Sequence, residues 1–337
     1  MPDLALTHIR LSRMDLSAFP RVPLGTWPTP LEDAPRLSEA LGGPPVLIKR
    51  DDVNGLGAGG NKLRKLEFLL GEALEQGKDT VITFGALQTN HGRQTAAACA
   101  KLGLRCELIL TAKVPQEGEA YEQSGNVVLD HFFGANVHIT RTPEEAGKIY
   151  DEIDHDQAVT LPVGGSNGLG TLGYVAAAIE LVGQLNERGI GEATIYVAQG
   201  SGATAAGLAL GTALLGWPGR IHAASVSHPQ EDTVKELHDL ATEAAKLLNV
   251  DLPELNVDFG DDTIGPGYGV PTEEMWAALK LFARTEGVLL DPVYSGKAAA
   301  ALAKRAKNED LPIVFVHTGG LPGLYGYAPE AITSART

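Results

Sequence analysis

At 337 residues, with 42 Asp and Glu against 27 Lys and Arg, the chain carries a formal charge of −15. That balance excludes nucleic acid and anionic membrane surfaces as partners, because both require a basic face. A hydrophobic content of 44% with 20% charged residues excludes disorder as the main state, and the length exceeds the roughly 250–300 residues at which a single core stops growing.

Residues 1–20 mix Asp3, Arg10, Arg13 and Asp15 with short apolar runs and lack the continuous apolar stretch of a signal peptide. A helix opens at Gly59-Gly60-Asn61-Lys62, with Leu63, Leu66, Leu69 and Leu70 as its apolar positions and Arg64 and Lys65 read as a solvated face. Residues 80–84 read as a buried strand leading to a helix over 89–102. Residues 106–110 are the next strand, followed by a helix over about 120–133. Strands over 137–140 and 158–161 continue the pattern, separated by a helix over 142–153, and a long helix covers about 168–188. Residues 194–197, 221–226 and 313–316 are further strand candidates, each with a helical pattern beside it. Strands alternating with helices of about 10–15 residues predict βαβ units and parallel sheets covered on both faces. The expected fold is therefore α/β, with two doubly wound parallel-sheet lobes and an irregular stretch over 249–270 interrupting the run of units. In such sheets ligands bind beyond the carboxyl ends of the strands, so the site is expected in a cleft between the lobes.

The only cysteines, Cys99 and Cys106, are separated by six residues. They support neither a disulfide framework nor a metal-ligand spacing. His8, His131, His138, His155, His222, His228 and His238 show no ligand spacing either, so no metal is expected. No stretch reads as the roughly 18 apolar residues of a membrane span, and a cytoplasmic location is the expectation.

Two segments satisfy G-x-G-x-x-G: residues 55–60 and residues 168–173. The first follows the charged turn Arg50-Asp51-Asp52-Val53-Asn54 and the second follows Gly164-Gly165-Ser166-Asn167. Neither shows the strand-to-helix junction that dinucleotide binding requires. Gly200-Ser201-Gly202-Ala203-Thr204 is a better phosphate cup. It lies between a strand and a helix, its small residues let backbone N–H groups converge, and the helix N-terminus adds positive potential. A tight packing turn is the alternative reading. Lys62 sits at a helix N-terminus, where a cation is disfavoured, so it is either solvated or covalently neutralised as a Schiff base.

The ordered set Lys49-Arg50-Asp51-Asp52, residues 59–67, residues 85–94 (Gly85-Ala86-Leu87-Gln88-Thr89-Asn90-His91-Gly92-Arg93-Gln94), residues 162–167, residues 200–204, Gly267-Tyr268-Gly269-Val270-Pro271, Asp291-Pro292-Val293-Tyr294-Ser295-Gly296-Lys297 and His317-Thr318-Gly319-Gly320 resembles the fold-type-II pyridoxal phosphate (PLP) enzymes, whose type is tryptophan synthase β-like. Within them it is similar to the branch of 1-aminocyclopropane-1-carboxylate (ACC) deaminase and D-cysteine desulfhydrase. The resemblance covers nearly the whole chain. It implies a large PLP-binding domain over residues 1–65 and 173–337, a small inserted domain over residues 66–172 and a homodimer.

Residue by residue, the resemblance implies that Lys62 forms the Schiff base with PLP and moves protons at the substrate Cα. Gly200, Ser201, Gly202, Ala203 and Thr204 would cradle the phosphate, and Asn90 would hydrogen-bond the phenolic oxygen. Backbone N–H groups of Thr89, Asn90 and His91 would hold the substrate carboxylate, with a plain helix cap as the alternative. Thr89 stands where many members carry serine, placing a methyl at the cofactor face. ACC deaminase has a carboxylate after the tyrosine of DPVYEGK. Ser295 replaces it here, and Thr318 matches the neutral hydroxyl partner of the pyridine nitrogen in the desulfhydrases. Tyr268 and Tyr294 match the family's two active-site tyrosines and are expected to protonate departing sulfur or steer the Cα proton. His91 and His317 sit in motifs, either contacting substrate or orienting a loop.

The reading is a PLP-dependent carbon–sulfur lyase carrying out β-elimination on a small amino acid, with D-cysteine as first choice, giving pyruvate, sulfide and ammonia. L-cysteate sulfo-lyase and ACC deaminase are alternatives on the same scaffold. An NAD(P)-dependent oxidoreductase and a PLP-holding module without turnover are alternatives of other classes.

Overall fold

The computed structural model describes residues 14–112 and 114–336. The opening residues, including His8 and the start of the expected large domain, lie outside the described residues. Ten strands form two sheets: β1 (Leu31–Asp33), β2 (Val46–Arg50), β3 (Thr80–Ala86), β4 (Arg105–Thr111), β5 (Asn136–Thr140), β6 (Ala158–Leu161), β7 (Thr194–Gln199), β8 (Arg220–Ser225), β9 (Val257–Gly260) and β10 (Ile313–His317). Six helices bear on the site: α1 (Lys62–Glu75), α2 (Asn90–Leu102), α3 (Gly168–Glu187), α4 (Ala203–Leu215), α5 (Gln230–Leu247) and α6 (Ser295–Arg305).

The larger sheet has the order β1-β2-β10-β7-β8-β9 and the smaller β5-β4-β3-β6. Every pairing is parallel except β1 with β2. Every residue of β7 and β10 is buried, as expected of central parallel strands covered on both faces. The smaller sheet is built from residues 80–161 and the larger from segments on either side, which is the α/β architecture expected. The chain departs from β3 toward β4 on one side and places β6 on the other; likewise β8 and β10 flank β7. These two reversals are the points at which doubly wound sheets bind ligands. Thr89 and Gly200 lie just past them.

Four expectations need correction. The stretch 249–270 is not wholly irregular, because β9 lies within it and pairs in parallel with β8; it forms the sheet edge and does not divide the lobes. The helix expected over 120–133 is two, Glu119–Gln123 and Gly125–Phe132. Gly125 has φ +60°, and a Cβ there would come within 2.6 Å of Pro322 O, so the chain must bend at that point. The third concerns membrane spans. α3 is long and apolar enough to cross a membrane over an 18-residue window, but 72% of that window is buried in the core. Gly173 on α3 and Gly207 on α4 explain its composition. A Cβ at the first would sit 2.2 Å from Arg64 O, and at the second 2.5 Å from Thr171 O, so the absence of side chains lets three helices touch.

Arg64 and Lys65 were expected in solvent; both are 1% exposed. The Arg64 guanidinium donates through Nε and Nη2 to Asp51 at 2.8 Å each, and to Glu180 at 3.0 and 2.9 Å, with the Trp27 ring 4.0 Å away. Lys49 Nζ also reaches Glu180 at 2.5 Å, and Tyr174 donates its hydroxyl proton to Asp51 at 2.6 Å. Two cations thus meet two carboxylates. Burial alone would push Asp51 up, but the charge of Arg64 outweighs it and the carboxyl stays below its ordinary value. Removing one member of such a buried set strands the others. Arg64→Met is therefore expected to lower the unfolding free energy by about 3–5 kcal/mol, measured by urea denaturation.

Candidate active site

The carboxyl ends of β3, β4, β7 and β10 converge on one cavity of about 440 Å³, within the range of small-molecule sites. Lys62, Thr89, Asn90, His91, Gly200, Ser201, Gly202, Thr204, Tyr268, Tyr294 and Thr318 all line it. Ala203 does not. Its side chain is fully buried and its N–H donates to Ser201 O at 3.1 Å, so of the five loop residues it contributes packing beneath the cup.

Lys62 begins α1. Gln94, from α2, accepts the N–H groups of Lys62 and Leu63 through Oε1 at 3.0 and 3.2 Å, capping one helix from the side of another. Burial lowers the Lys62 amine to about 8, with a hydrogen bond to the Lys65 amine limiting the shift. Burial and then the charge of Lys62 hold Lys65 well below its ordinary value. Lys65 Nζ donates to Gly164 O at 3.1 Å and lies 3.4 Å from Ser166 Oγ, which in turn is 2.7 Å from Ser201 Oγ. Asn61 joins three loops: its N–H donates to Thr318 O at 2.9 Å and its Nδ2 to Thr204 Oγ1 at 3.0 Å.

The Gly200–Thr204 turn leads from β7 into α4, with Gly202 at φ +81°. A Cβ on Gly202 would come within 2.8 Å of Leu240 Cδ1, and one on Gly200 within 3.1 Å of the Tyr294 ring. Neither position has ready room for a side chain, so the tight turn into α4 favours glycine at both.

At the tip of β3, Thr89 Oγ1 accepts the Gly92 N–H at 3.2 Å as an N-cap, the alternative left open for this residue. Its methyl packs where a Cβ on Gly92 or Gly85 would approach to 2.5 or 2.9 Å, so it is accommodated between α2 and β3. Asn90 Oδ1 accepts from Asn126 Nδ2 at 3.0 Å and faces Arg93 Nη2 at 3.5 Å, leaving the Asn90 amide N–H groups for the cavity. Thr83 donates its hydroxyl proton to Leu161 O at 3.0 Å. His91 Nε2, 3.0 Å from that hydroxyl, must then be the donor, and Nδ1 is a buried acceptor without a protein partner among the described residues. Burial and the charges of Lys62 and Lys65 keep this imidazole neutral.

Tyr268 and Tyr294 meet edge to face, hydroxyl to hydroxyl at 2.5 Å. Burial pushes Tyr268 up to about 12 and Tyr294 well above the usual phenol value, so both keep their protons. Ser295 is turned away: its hydroxyl donates to Asp291 Oδ1 at 2.5 Å and accepts the Asp291 N–H at 2.8 Å. His317 orients a loop, donating from Nε2 to Leu289 O at 3.0 Å and accepting the Gly319 N–H at 3.2 Å. Phe84, Thr111, Val163, Ser227, His228 and Glu236 also line the cavity and were not anticipated. They lie on elements whose relation to the site depends on how the two sheets face each other.

Residues 22–319 match the pattern of the family described as pyridoxal-phosphate dependent enzyme. The chain belongs to this family. Among its relatives, D-cysteine desulfhydrase of Klebsiella pneumoniae strain 342 is 44% identical over 331 residues, spanning 95% of this chain and 100% of that one. The protein of the same name from K. pneumoniae subsp. pneumoniae strain ATCC 700721 is 43% identical over the same length. The crystal structure of an ACC deaminase homologue superposes with TM-score 0.86 at 37% identity, covering 96% of this chain and 98% of its own. A fungal L-serine ammonia-lyase from Rhizomucor miehei shares the fold, with TM-score 0.65 at 18% identity and 90% coverage. The fold is that of the fold-type-II PLP enzymes, PLP is the cofactor, and the nicotinamide reading of the glycine motifs is overturned. Residues 168–173 lie inside α3, where their glycines serve helix packing.

The lowered Lys62 amine has a direct chemical consequence. Only the deprotonated amine attacks an aldehyde or acylating reagent, and its fraction rises with pH through the pKa. In cofactor-stripped protein, competitive acylation followed by peptide mass analysis is expected to titrate Lys62 with a midpoint near 8, against 10.5 for an ordinary lysine.

Proposed function

We propose that this enzyme converts D-cysteine to pyruvate, sulfide and ammonia. The observation that carries the reading is the 44% identity, along its full length, to a D-cysteine desulfhydrase. The disposition of Ser295 and Thr318 supports it. Ser295 is committed to Asp291, while Thr318 offers a neutral hydroxyl to the cavity from the end of β10.

In this reading Lys62 holds the cofactor and moves the Cα proton. Asn90 donates its free amide N–H to the cofactor's phenolic oxygen. The backbone of 200–204 with the N-terminus of α4 receives the phosphate, and Thr318 faces the pyridine nitrogen. When bound, PLP supplies an electron sink for the substrate Cα that no side chain provides. The N-terminus of α2 at Thr89, Asn90 and His91 holds the substrate carboxylate. Tyr268 and Tyr294, protonated over the whole physiological range, deliver a proton to the departing sulfur. A neutral partner at the pyridine nitrogen makes a weaker sink than a carboxylate does. That suffices where a good leaving group departs and is less suited to opening a cyclopropane.

The choice of a thiol over a sulfonate follows from charge. Among the described residues the lysines in the lining are Lys62 and Lys65, one helical turn apart at the cofactor-attachment end, and the lining's other basic side chains are His91 and His228. Phe84, Thr111, Val163 and Tyr268 offer no cation for a second anion. A small domain over 66–172 closing on a large one over 1–65 and 173–337, and a homodimer in the cytoplasm, complete the reading. The two free, buried cysteines agree with a reducing compartment.

Supplied with D-cysteine, L-cysteate and ACC in turn, the holoenzyme is expected to release sulfide and pyruvate from the first. Sulfite from L-cysteate, or 2-oxobutyrate from ACC, with no sulfide from D-cysteine, overturns the assignment while leaving the cofactor chemistry in place. Lys62→Ala is expected to reduce turnover by roughly 10³-fold or more, and borohydride to fix the phosphopyridoxyl group on Lys62 in the unaltered enzyme. Tyr268→Phe is expected to lower kcat by about 10²-fold in a sulfide-release assay.

A further inference from the structure

Lys297 lies in the first turn of α6 and is fully buried, yet it makes no ion pair among the described residues and does not line the cavity. Its Nζ donates instead to two backbone carbonyls, Ile264 O at 2.7 Å and Gly267 O at 2.8 Å. These bracket a tight turn that no strand or helix supports, with Gly265 at φ +70° and Gly267 at φ +152°. The residue that follows the turn is Tyr268. Beyond it, Tyr327 donates its hydroxyl proton to Gly269 O at 2.7 Å, so the tyrosine is tethered on both sides by side chains.

The other tyrosine is held by the same short motif. Asp291 accepts the N–H groups of Val293 and Tyr294 at 2.9 Å and of Ser295 at 2.8 Å. One end of the 291–297 segment therefore sets Tyr294 and the other reaches across to the turn before Tyr268. An apolar side chain would fill the Lys297 position without the cost of desolvating an ammonium. That the chain keeps a donor there, aimed at two carbonyls, calls for a positional explanation.

We propose that Lys297 is a positioning residue for Tyr268: by gripping the carbonyls of Ile264 and Gly267 it holds the Tyr268 hydroxyl at hydrogen-bond distance from Tyr294. This rests on the reading of Tyr268 as a proton donor given above. Displacing a reacting group by about 1 Å costs on the order of 10² in rate, and that is the scale of loss expected when the grip is removed.

The test is a double-mutant cycle on the holoenzyme. Lys297→Met is expected to lower kcat for sulfide release by roughly 10- to 100-fold, with the cofactor absorbance unchanged. In a Tyr268→Phe background it is expected to have no further effect beyond about twofold. Hydrogen exchange should accelerate in the peptide spanning 263–270 while α6 stays protected. Multiplying losses in the double variant, or unchanged exchange in that peptide, overturns the proposal. If Tyr268→Phe alone leaves kcat intact, the catalytic reading of Tyr268 fails, and the exchange measurement still decides whether Lys297 holds the turn. Where the Met variant does not fold, Lys297→Leu, which likewise removes the donor, takes its place. Failure of both to fold makes Lys297 a general structural support and overturns the positional role.

Discussion

A guanidinium sealed inside the protein governs where the chemistry can happen. Arg64 is two residues past Lys62, and its bidentate grip on Asp51 ties the first turn of α1 to the end of β2, while Glu180 ties it to α3. Such a set is tolerated in the interior only when every charge is matched, and here the match is made by elements far apart in the chain. The start of α1 has little freedom to move relative to either neighbour, and Gln94 fixes it again from α2. Lys62, whose amine is proposed to hold the cofactor, thus starts a helix anchored through Asp51, Glu180 and Gln94.

Three helices present their N-termini to the cavity. α2 and α4 begin at Asn90 and Ala203, and residues of both first turns line the cavity, where a helix N-terminus favours an anion. α1 begins there too, and places a lysine where its dipole and the burial both disfavour charge. Desolvation lowers the Lys65 amine and the His91 imidazole and raises the two tyrosine hydroxyls.

Several features were legible because they obey local rules. The buried strands are apolar runs bounded by glycine, and the 200–204 turn is a run of small residues between a strand and a helix. Other features were not legible for equally physical reasons. Charged residues such as Arg64 and Lys65 normally face water, and nothing local announces that Asp51, Glu180 and Gly164 will meet them. The break at Gly125 depends on Pro322, nearly two hundred residues away, and β9 is a short edge strand with little periodicity. Ala203 looked like part of the cup because it sits within the motif. Only the turn geometry shows its N–H already engaged by Ser201 O.

By itself the order of residues determined the class of fold, because alternation of apolar periods and small-residue turns are local properties carried by neighbours in the chain, and the resemblance of its ordered motifs to a known family pointed to the kind of cofactor. It also determined which side chains have the chemistry to act. What only the tertiary structure decided is their state and direction: the low pKa of the Lys62 amine, the free face of the Asn90 amide, the proton on Nε2 of His91 and the contact between two tyrosine hydroxyls. Each of these depends on burial and on partners brought from another sheet, and desolvation is a property of the packed whole that no stretch of sequence carries.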